Sequence, residues 1–244
     1  FNADVAHELN TPLTTLISSC ELALRKPRDA EELRDILASN LEDLQRMAGI
    51  VADMLFLSHA DRGESAHRIQ VASLASLAAE VVEYHEAALQ EAGLQVRVQG
   101  DAQAQVDARL LRRALSNLLG NATRYATPGS CIEVQIQSTS QDAAQGISLD
   151  TAQETITLSV QNHGPTITAE HLPRLFDRFY RSDTARSQAD RNHGLGLAIV
   201  SAIARMHGGQ AFARSDMTAT TIGLSLLADQ NSPPPPVDTV SNTS

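Results

Sequence analysis

The chain has 244 residues, 42% of them hydrophobic and 20% charged, which excludes wholesale disorder and a coiled-coil rod and allows one large domain or two. Its 19 basic against 29 acidic residues give a net charge of −10, which argues against a general nucleic-acid binder and against docking on anionic lipid. Aromatic residues make up only 3%, without Trp, so Leu, Ala, Val and Ile must fill the core. Cys20 and Cys131 lack motif spacing and sit in apolar patterns, as expected of reduced thiols in a cytoplasmic setting. No apolar run approaches the roughly 18 residues of a membrane span, and nothing resembles a signal peptide. The chain opens at Phe1 inside a helical pattern, as a piece of a longer protein would.

Leu9, Leu13, Leu16, Cys20 and Ala23 recur at heptad spacing, which predicts one helix over 3–26, stopped by Pro27. Asp29 with Glu32 three residues on reads as a cap for a second helix. Along it Leu37, Leu41, Leu44, Ala48, Val51 and Leu55 repeat the same spacing. Ile36, Ile50, Met54 and Leu57 widen that stripe beyond what one partner helix covers, so the hairpin, residues 3–58, is expected to pair with a second copy as a four-helix bundle.

The turn-rich run Ala60-Asp61-Arg62-Gly63 marks a boundary, giving domains over 1–62 and 63–229. In the second, strands are expected near 69–71, 94–99, 104–106, 131–137, 155–160, 210–214 and 220–227, and helices over 73–91, 107–125 and 195–207. The stretch 138–154 is either a flexible hairpin loop or a lengthening of the strand pair. Pro233 to Pro236 open a polar tail, 230–244, expected to be disordered.

Two constellations carry chemistry. His7 lies outside the leucine seam, beside Glu8 and one turn before Thr11. An imidazole acts as a nucleophile when a base holds its ring proton, and Glu8 is placed for that role. Pro12 cannot donate to the Glu8 carbonyl, so a kink is expected just after the histidine. On the helix to Tyr125, Leu111, Leu115, Leu118 and Ala122 make an apolar stripe, while Arg113, Asn117, Asn121 and Arg124 share another face. That face is either plain polar surface or a site for a hydrated cation and its phosphates, since Mg²⁺ takes neutral oxygen ligands and keeps its waters. Residues 174–191 carry Arg174, Arg178, Arg181, Arg186 and Arg191 against Asp177, Asp183 and Asp190, a positive segment in an acidic chain that reads as a lid over phosphates. His193-Gly194-Leu195-Gly196-Leu197 opens a helix whose free amides favour anions. The remaining histidines, 59, 67, 85, 163, 171 and 207, show no ligand spacing, so no protein-built transition-metal site is expected.

The string Phe1-Asn-Ala-Asp-Val-Ala-His7-Glu8-Leu9-Asn10-Thr11-Pro12-Leu13 resembles the phosphoacceptor box of bacterial sensor histidine kinases, with Asn10 where the family commonly has a basic residue. Asn117-Leu-Leu-Gly-Asn121-Ala-Thr-Arg124-Tyr125 resembles the same family's N box. The resemblance implies Asn121 as Mg²⁺ ligand supported by Asn117, Arg124 on phosphate and Tyr125 flanking adenine. Asn162-His-Gly164-Pro-Thr166-Ile167 resembles the Asp-x-Gly-x-Gly box, with Asn162 for the adenine-reading Asp and Thr166 for the second Gly. That variant, with Leu172-Pro-Arg-Leu-Phe-Asp-Arg178-Phe179-Tyr-Arg181 and Asp53-Met-Leu-Phe56-Leu, resembles the heavy-metal (copper or silver) sensor subgroup. Gly194-Leu195-Gly196-Leu197 is similar to the last glycine box, whose first Gly is here Asn192, and Thr220 matches the final adenine-contacting threonine.

The resemblance implies a helical-hairpin dimerisation domain followed by a GHKL (Bergerat) α/β sandwich. It implies ATP and Mg²⁺ as cofactors and phosphorylation of His7 with Glu8 as base. The partners it implies are a second copy and a response-regulator receiver domain, with Thr11 supporting phosphatase chemistry. It also implies a cytoplasmic portion of a bacterial inner-membrane protein, with membrane contact only through upstream segments. Two other readings stay open: a non-catalytic dimeric scaffold, and a GHKL ATPase of another class.

Overall fold

The computed structural model describes residues 2–140, 154–181 and 193–227, with side chains described over 9–139, 155–181 and 193–227. Helix α1 (Asn2–Arg25) and helix α2 (Ala30–Asp61) form the hairpin. Asp29 caps α2 as its position predicts: its carboxylate accepts from the amides of Glu31 and Glu32 at 3.0 and 2.8 Å. Helix α1 runs on through Pro12 as one element.

The hairpin presents two stripes on α2, one residue out of step. Asn40, Ile50 and Leu57 are buried, with Ile36, Met47 and Met54 half-buried beside them. Leu37, Leu41, Leu44, Val51 and Leu55 stay between 43 and 65% exposed, as does Leu13 of α1 at 42%. On α1 Leu16 is buried, and a polar contact joins the two helices, the Asn40 amide donating to the Cys20 sulfur at 3.3 Å. A single hairpin therefore leaves a full apolar face uncovered.

Beyond the turn at Arg62–Gly63 come strand β1 (Ile69–Val71), helix α3 (Leu74–Tyr84), helix α4 (Glu86–Glu91), strand β2 (Gln95–Gln99) and strand β3 (Ala104–Val106). Helix α5 (Ala108–Tyr125) follows, then strand β4 (Cys131–Ser140), strand β5 (Glu154–Asn162), a 3₁₀ turn (Leu172–Arg174), helix α6 (Gly196–Met206), strand β6 (Ala211–Ser215) and strand β7 (Thr220–Leu227). The helix expected over 73–91 is broken at His85, whose amide bonds back to the carbonyls of Val81 and Val82 before a new turn begins. Strands β4 and β5 pair from Glu133 with Gln161 out to Ser140 with Glu154, so the strand pair is the longer of the two expectations. Residues 141–153 and the tail from 228 on lie outside the described residues.

The main sheet has the order β2-β4-β5-β7-β6, parallel at β2–β4 and antiparallel elsewhere, and β1 pairs with β3 apart from it. Alternation decides its buried face. Ile132, Val134 and Ile136 on β4, Ile156, Leu158 and Val160 on β5, and Ile222, Leu224 and Leu226 on β7 are all 3% exposed or less. They pack with Leu111, Leu115 and Leu118 of α5 and Ile199 and Ile203 of α6 in one cluster, each such side chain contributing about 1.5–3 kcal/mol. The result is a two-layer α/β sandwich whose helices cover one face.

A lone histidine pins this layer. His207 is fully buried; its Nδ1 donates to the Ile203 carbonyl at 2.8 Å and its Nε2 accepts from the Asp107 amide at 3.1 Å. The bond accepted at Nε2 requires the neutral ring, and burial, the largest cause, holds its pKa below the ordinary value. The unfolded ring titrates near about 6.5. A depressed folded pKa makes the unfolded state the better proton binder, so this contribution is complete above that value and falls away as pH drops through the folded pKa. His85, also lowered by burial, adds in the same direction. Thermal unfolding is expected to show stability decreasing from about pH 7 to about pH 5, with a shallower slope in His207→Gln.

Candidate active site

Helix α5 sets the first wall. Its buried stripe, Leu111, Leu115, Leu118 and Ala122, is 2% exposed or less and fixes the rotation of the helix. Arg113, Asn117, Asn121 and Arg124 are thereby left half-buried on another face. Asn117 meets the start of α6: a Cβ built on Gly196 would lie 3.1 Å from the Asn117 Oδ1. Glycine at 196 thus lets the first turn of α6 approach α5. Helix α6 has no side-chain cap at Leu195, which is 1% exposed, while Gly194, Gly196 and Leu197 are half-buried. Its first amides are left to other partners.

The second wall is the end of β5. Asn162, 4% exposed, pairs in register with Thr220, 5% exposed. The Thr220 and Ser215 hydroxyls lie 2.7 Å apart, and Ser215 Oγ accepts from the Ile167 amide at 2.9 Å. Thr166 donates to the Asp216 carbonyl at 2.9 Å, and His163 Nδ1 to the Thr218 carbonyl at 2.8 Å. Asp216 itself folds the β6–β7 turn, with hydrogen bonds from Thr218, then Ala219, holding its carboxyl below the usual range. The Thr127 amide donates to the His163 carbonyl at 2.7 Å. A Cβ on Gly164 would stand 2.1 Å from the Tyr125 carbonyl oxygen, closer than any side chain allows. The loop over 163–168 is therefore clamped between the C-terminus of α5 and the β6–β7 turn. This bonding is the physical reason for Thr166: its hydroxyl ties down a loop that a second glycine would leave loose.

The third wall is the base of the segment that follows the 3₁₀ turn. His171 Nδ1 and the Tyr180 hydroxyl lie 2.6 Å apart, and Arg174 stacks over the Tyr180 ring at 4.3 Å. Phe179 has φ 62°, a left-handed conformation that costs a non-glycine residue about 1–3 kcal/mol. Its amide donates to the Gly194 carbonyl at 3.0 Å, and a Cβ on Gly194 would come within 2.8 Å of the Phe179 backbone. The two ends of the intervening segment are thus held together. Residues 182–192, including Arg186, Arg191 and Asn192, lie outside the described residues.

The hairpin contributes differently from expectation. Among the nucleophile group, His7 and Glu8 belong to α1 by backbone, and their side chains lie outside the described residues. Thr11 is exposed, and Leu9 packs against the buried cluster of the α/β layer. Two arginines assigned to phosphates meet hairpin carboxylates here. Arg113 pairs with Asp53 and stacks over Phe56 at 4.2 Å. Arg178 pairs with Asp61 and reaches the Leu57 carbonyl at 3.5 Å. Asp53 and Asp61 carry no sequence signal for these roles, since their partners lie far along the chain. Ser215 carries none either, because a lone serine at a strand end is locally unremarkable.

Residues 1–63 match the His Kinase A (phospho-acceptor) domain, and residues 106–229 the family described as histidine kinase-, DNA gyrase B-, and HSP90-like ATPase. The chain belongs to the sensor histidine kinases. Among relatives of this kinase, sensor histidine kinase CusS of Escherichia coli K12 is 42% identical over 229 residues, 93% of this chain and 45% of the relative. The chain thus spans about half the length of the curated relatives it matches. Its place in the heavy-metal sensor subgroup, drawn from Asn162, Thr166 and the segments around Phe56 and Phe176, stands with that relative. The kinase fold is shared with the Acinetobacter baumannii histidine kinase AdeS, at TM-score 0.68 and 21% identity, covering 91% of this chain and 98% of that one. It is shared as well with histidine kinase ThkA in complex with response regulator protein TrrA, at TM-score 0.68 and 20% identity, covering 93% and 61%.

Proposed function

We propose that this chain is the autokinase core of a two-component sensor, with a phosphoacceptor hairpin over 1–62 and an ATP-binding domain over 63–229. The observation that carries the reading is the presence, in one chain, of His7-Glu8 on helix α1 of a hairpin and of close approaches that bring Asn117 of α5 to Gly196 at the start of α6 and the end of α5 to Gly164 after β5.

In this reading the adenine lies by Asn162, Thr220, Gly164 and Ile167, with Tyr125 at its flank. The phosphates lie toward Arg124 and the amides of Gly194, Leu195, Gly196 and Leu197, while Arg178 and Phe179 belong to the covering segment. A His7 ring nitrogen attacks the γ-phosphorus, the bond to the bridging oxygen breaks, ADP leaves, and Glu8 takes the ring proton. Such transfer is catalysed by positioning and charge neutralisation. Among the described residues no cluster of three His, Cys, Asp or Glu forms a metal cage. The half-buried amides of Asn117 and Asn121 fit an ion that keeps water and phosphate oxygens around it, and Asn121 would hold Mg²⁺. The ion supplies charge neutralisation on the phosphates when bound.

The uncovered face of Leu13, Leu37, Leu41, Leu44, Val51 and Leu55 supports a homodimer built through residues 3–58. The complex of ThkA with response regulator protein TrrA supports a receiver domain as the acceptor from His7, and in this reading Thr11 assists water in hydrolysing the receiver's aspartyl phosphate. No helix among the described residues is long and apolar enough to cross a membrane. In this reading the whole protein belongs to the bacterial inner membrane, this chain is its cytoplasmic portion, and a heavy-metal signal arrives from elsewhere in it.

Incubation with γ-labelled ATP and Mg²⁺ tests the reading. The chain should take up label and His7→Gln should not. Tight nucleotide binding without label would mark a scaffold, and ATP turnover surviving in His7→Gln without phosphoprotein would mark an ATPase of another class.

A further inference from the structure

The polar groups around the end of β5 are satisfied within the fold, with one exception. Thr220, Ser215 and the Ile167 amide form one chain of hydrogen bonds, Thr166 is bonded to the Asp216 carbonyl, and His163 to the Thr218 carbonyl. Asn162 is 4% exposed as a residue, and among the described residues its side-chain amide makes no hydrogen bond and is not among the polar groups sealed from solvent. An amide that bonds to nothing in the fold and still meets solvent is free to pair with a ligand. The bare backbone of Gly164 keeps its approach open, since a Cβ there would lie 3.2 Å from the Asn162 Nδ2.

The chemistry of the amide says which ligand edge it fits. A primary amide presents an acceptor and donors side by side, and half a turn of its terminal torsion exchanges them. Adenine offers an amino donor at C6 beside the N1 acceptor. A 6-oxo purine offers the inverse pair, an acceptor at C6 beside an N1–H donor. The amide matches either edge by turning over. A carboxylate in the same place only accepts, so it favours the 6-amino group and repels a 6-oxo oxygen. Resting on the nucleotide reading given above, we infer that Asn162 makes this site tolerant at purine position 6: it takes 6-oxo purine triphosphates as well as ATP.

The test is a titration of the 244-residue chain with ATP and with ITP, which carries the 6-oxo group and no 2-amino group. The two dissociation constants are expected to agree within about tenfold, and Asn162→Asp is expected to shift their ratio toward ATP by about tenfold or more. The wild-type ratio needs no variant to fold, and Asn162→Ala, which removes both donor and acceptor, should weaken both nucleotides alike. A wild-type chain that prefers ATP by about a hundredfold or more overturns the inference, as does a ratio that Asn162→Asp leaves unchanged. Failure of both nucleotides to bind is a separate result: it overturns the nucleotide reading itself and this inference with it.

Discussion

Asn121→Ala should slow phosphorylation by about a hundredfold or more, the usual cost of removing one preorganised group from a site where charge develops. The fold should not suffer. Leu118 and Ala122, on the adjoining face of α5, carry the packing at 1 and 2% exposure, whereas Asn121 is half-buried on the cleft face. Alanine is moreover the better helix former by about 0.5 kcal/mol. Single-turnover labelling against ATP at saturating Mg²⁺, set beside a thermal melt, separates the two effects. A variant that keeps its rate within about threefold would remove Asn121 from the metal site and leave α5 presenting a polar surface only.

Gly164→Ala should damage both stability and nucleotide affinity. Its Cβ would meet the Tyr125 carbonyl oxygen at 2.1 Å, and main chain is the obstacle, so the loop or the end of α5 must move. Forcing an extra methyl into such a space costs about 1–3 kcal/mol. The displaced loop carries Thr166 and Ile167 and adjoins Asn162, so nucleotide binding should weaken by about tenfold as the clamp opens. Gly120→Ala on α5 is the control for stability: nothing lies within 4 Å of its Cβ position, and relief of a mid-helix glycine should raise stability by about 0.5–1 kcal/mol. Urea unfolding and a nucleotide titration read both variants. Wild-type affinity in Gly164→Ala would mean that this loop does not shape the base site.

Much of the architecture is legible in the sequence because the features that build it are local. Asp29 and Asp107 announce α2 and α5 through their capping side chains, and the alternation in β4 and β5 announces a half-buried sheet. The two stripes on α2, one residue out of step, show from their breadth alone that one partner helix is too few. Periodicity does not tell which stripe turns inward, because adjacent stripes have equal spacing and differ only in what covers them. The break at His85 is invisible for a related reason: Leu74 to Glu91 reads as one continuous amphipathic helix, yet its first part ends at Tyr84, where the next amide, that of His85, is shared between the Val81 and Val82 carbonyls.

The cleft can be read from motifs, yet the connections that hold it cannot. Arg113 and Arg178 stand out as basic residues near phosphates, while their partners Asp53 and Asp61 lie on another element altogether. Both pairs are partly exposed, so each contributes about 1 kcal/mol or less to holding the hairpin and the α/β layer together. Buried Ile50 and Leu57 on α2 contribute more to that contact. Each guanidinium is held by a hairpin carboxylate, so a phosphate that binds either one must displace Asp53 or Asp61. Ser215 and His207 are likewise unreadable in the sequence, each being an isolated residue whose role exists only once distant strands and helices are brought together.

Localising the phosphoryl group decides whether His7 is the acceptor. The chain is labelled with γ-labelled ATP and Mg²⁺, digested at neutral to alkaline pH, and its peptides are mapped. One labelled peptide is expected, containing His7, stable to alkali, labile to acid, and absent when Mg²⁺ is removed. Label on a hydroxyl or carboxylate side chain, or ATP hydrolysis with no labelled peptide at all, would contradict the autokinase reading.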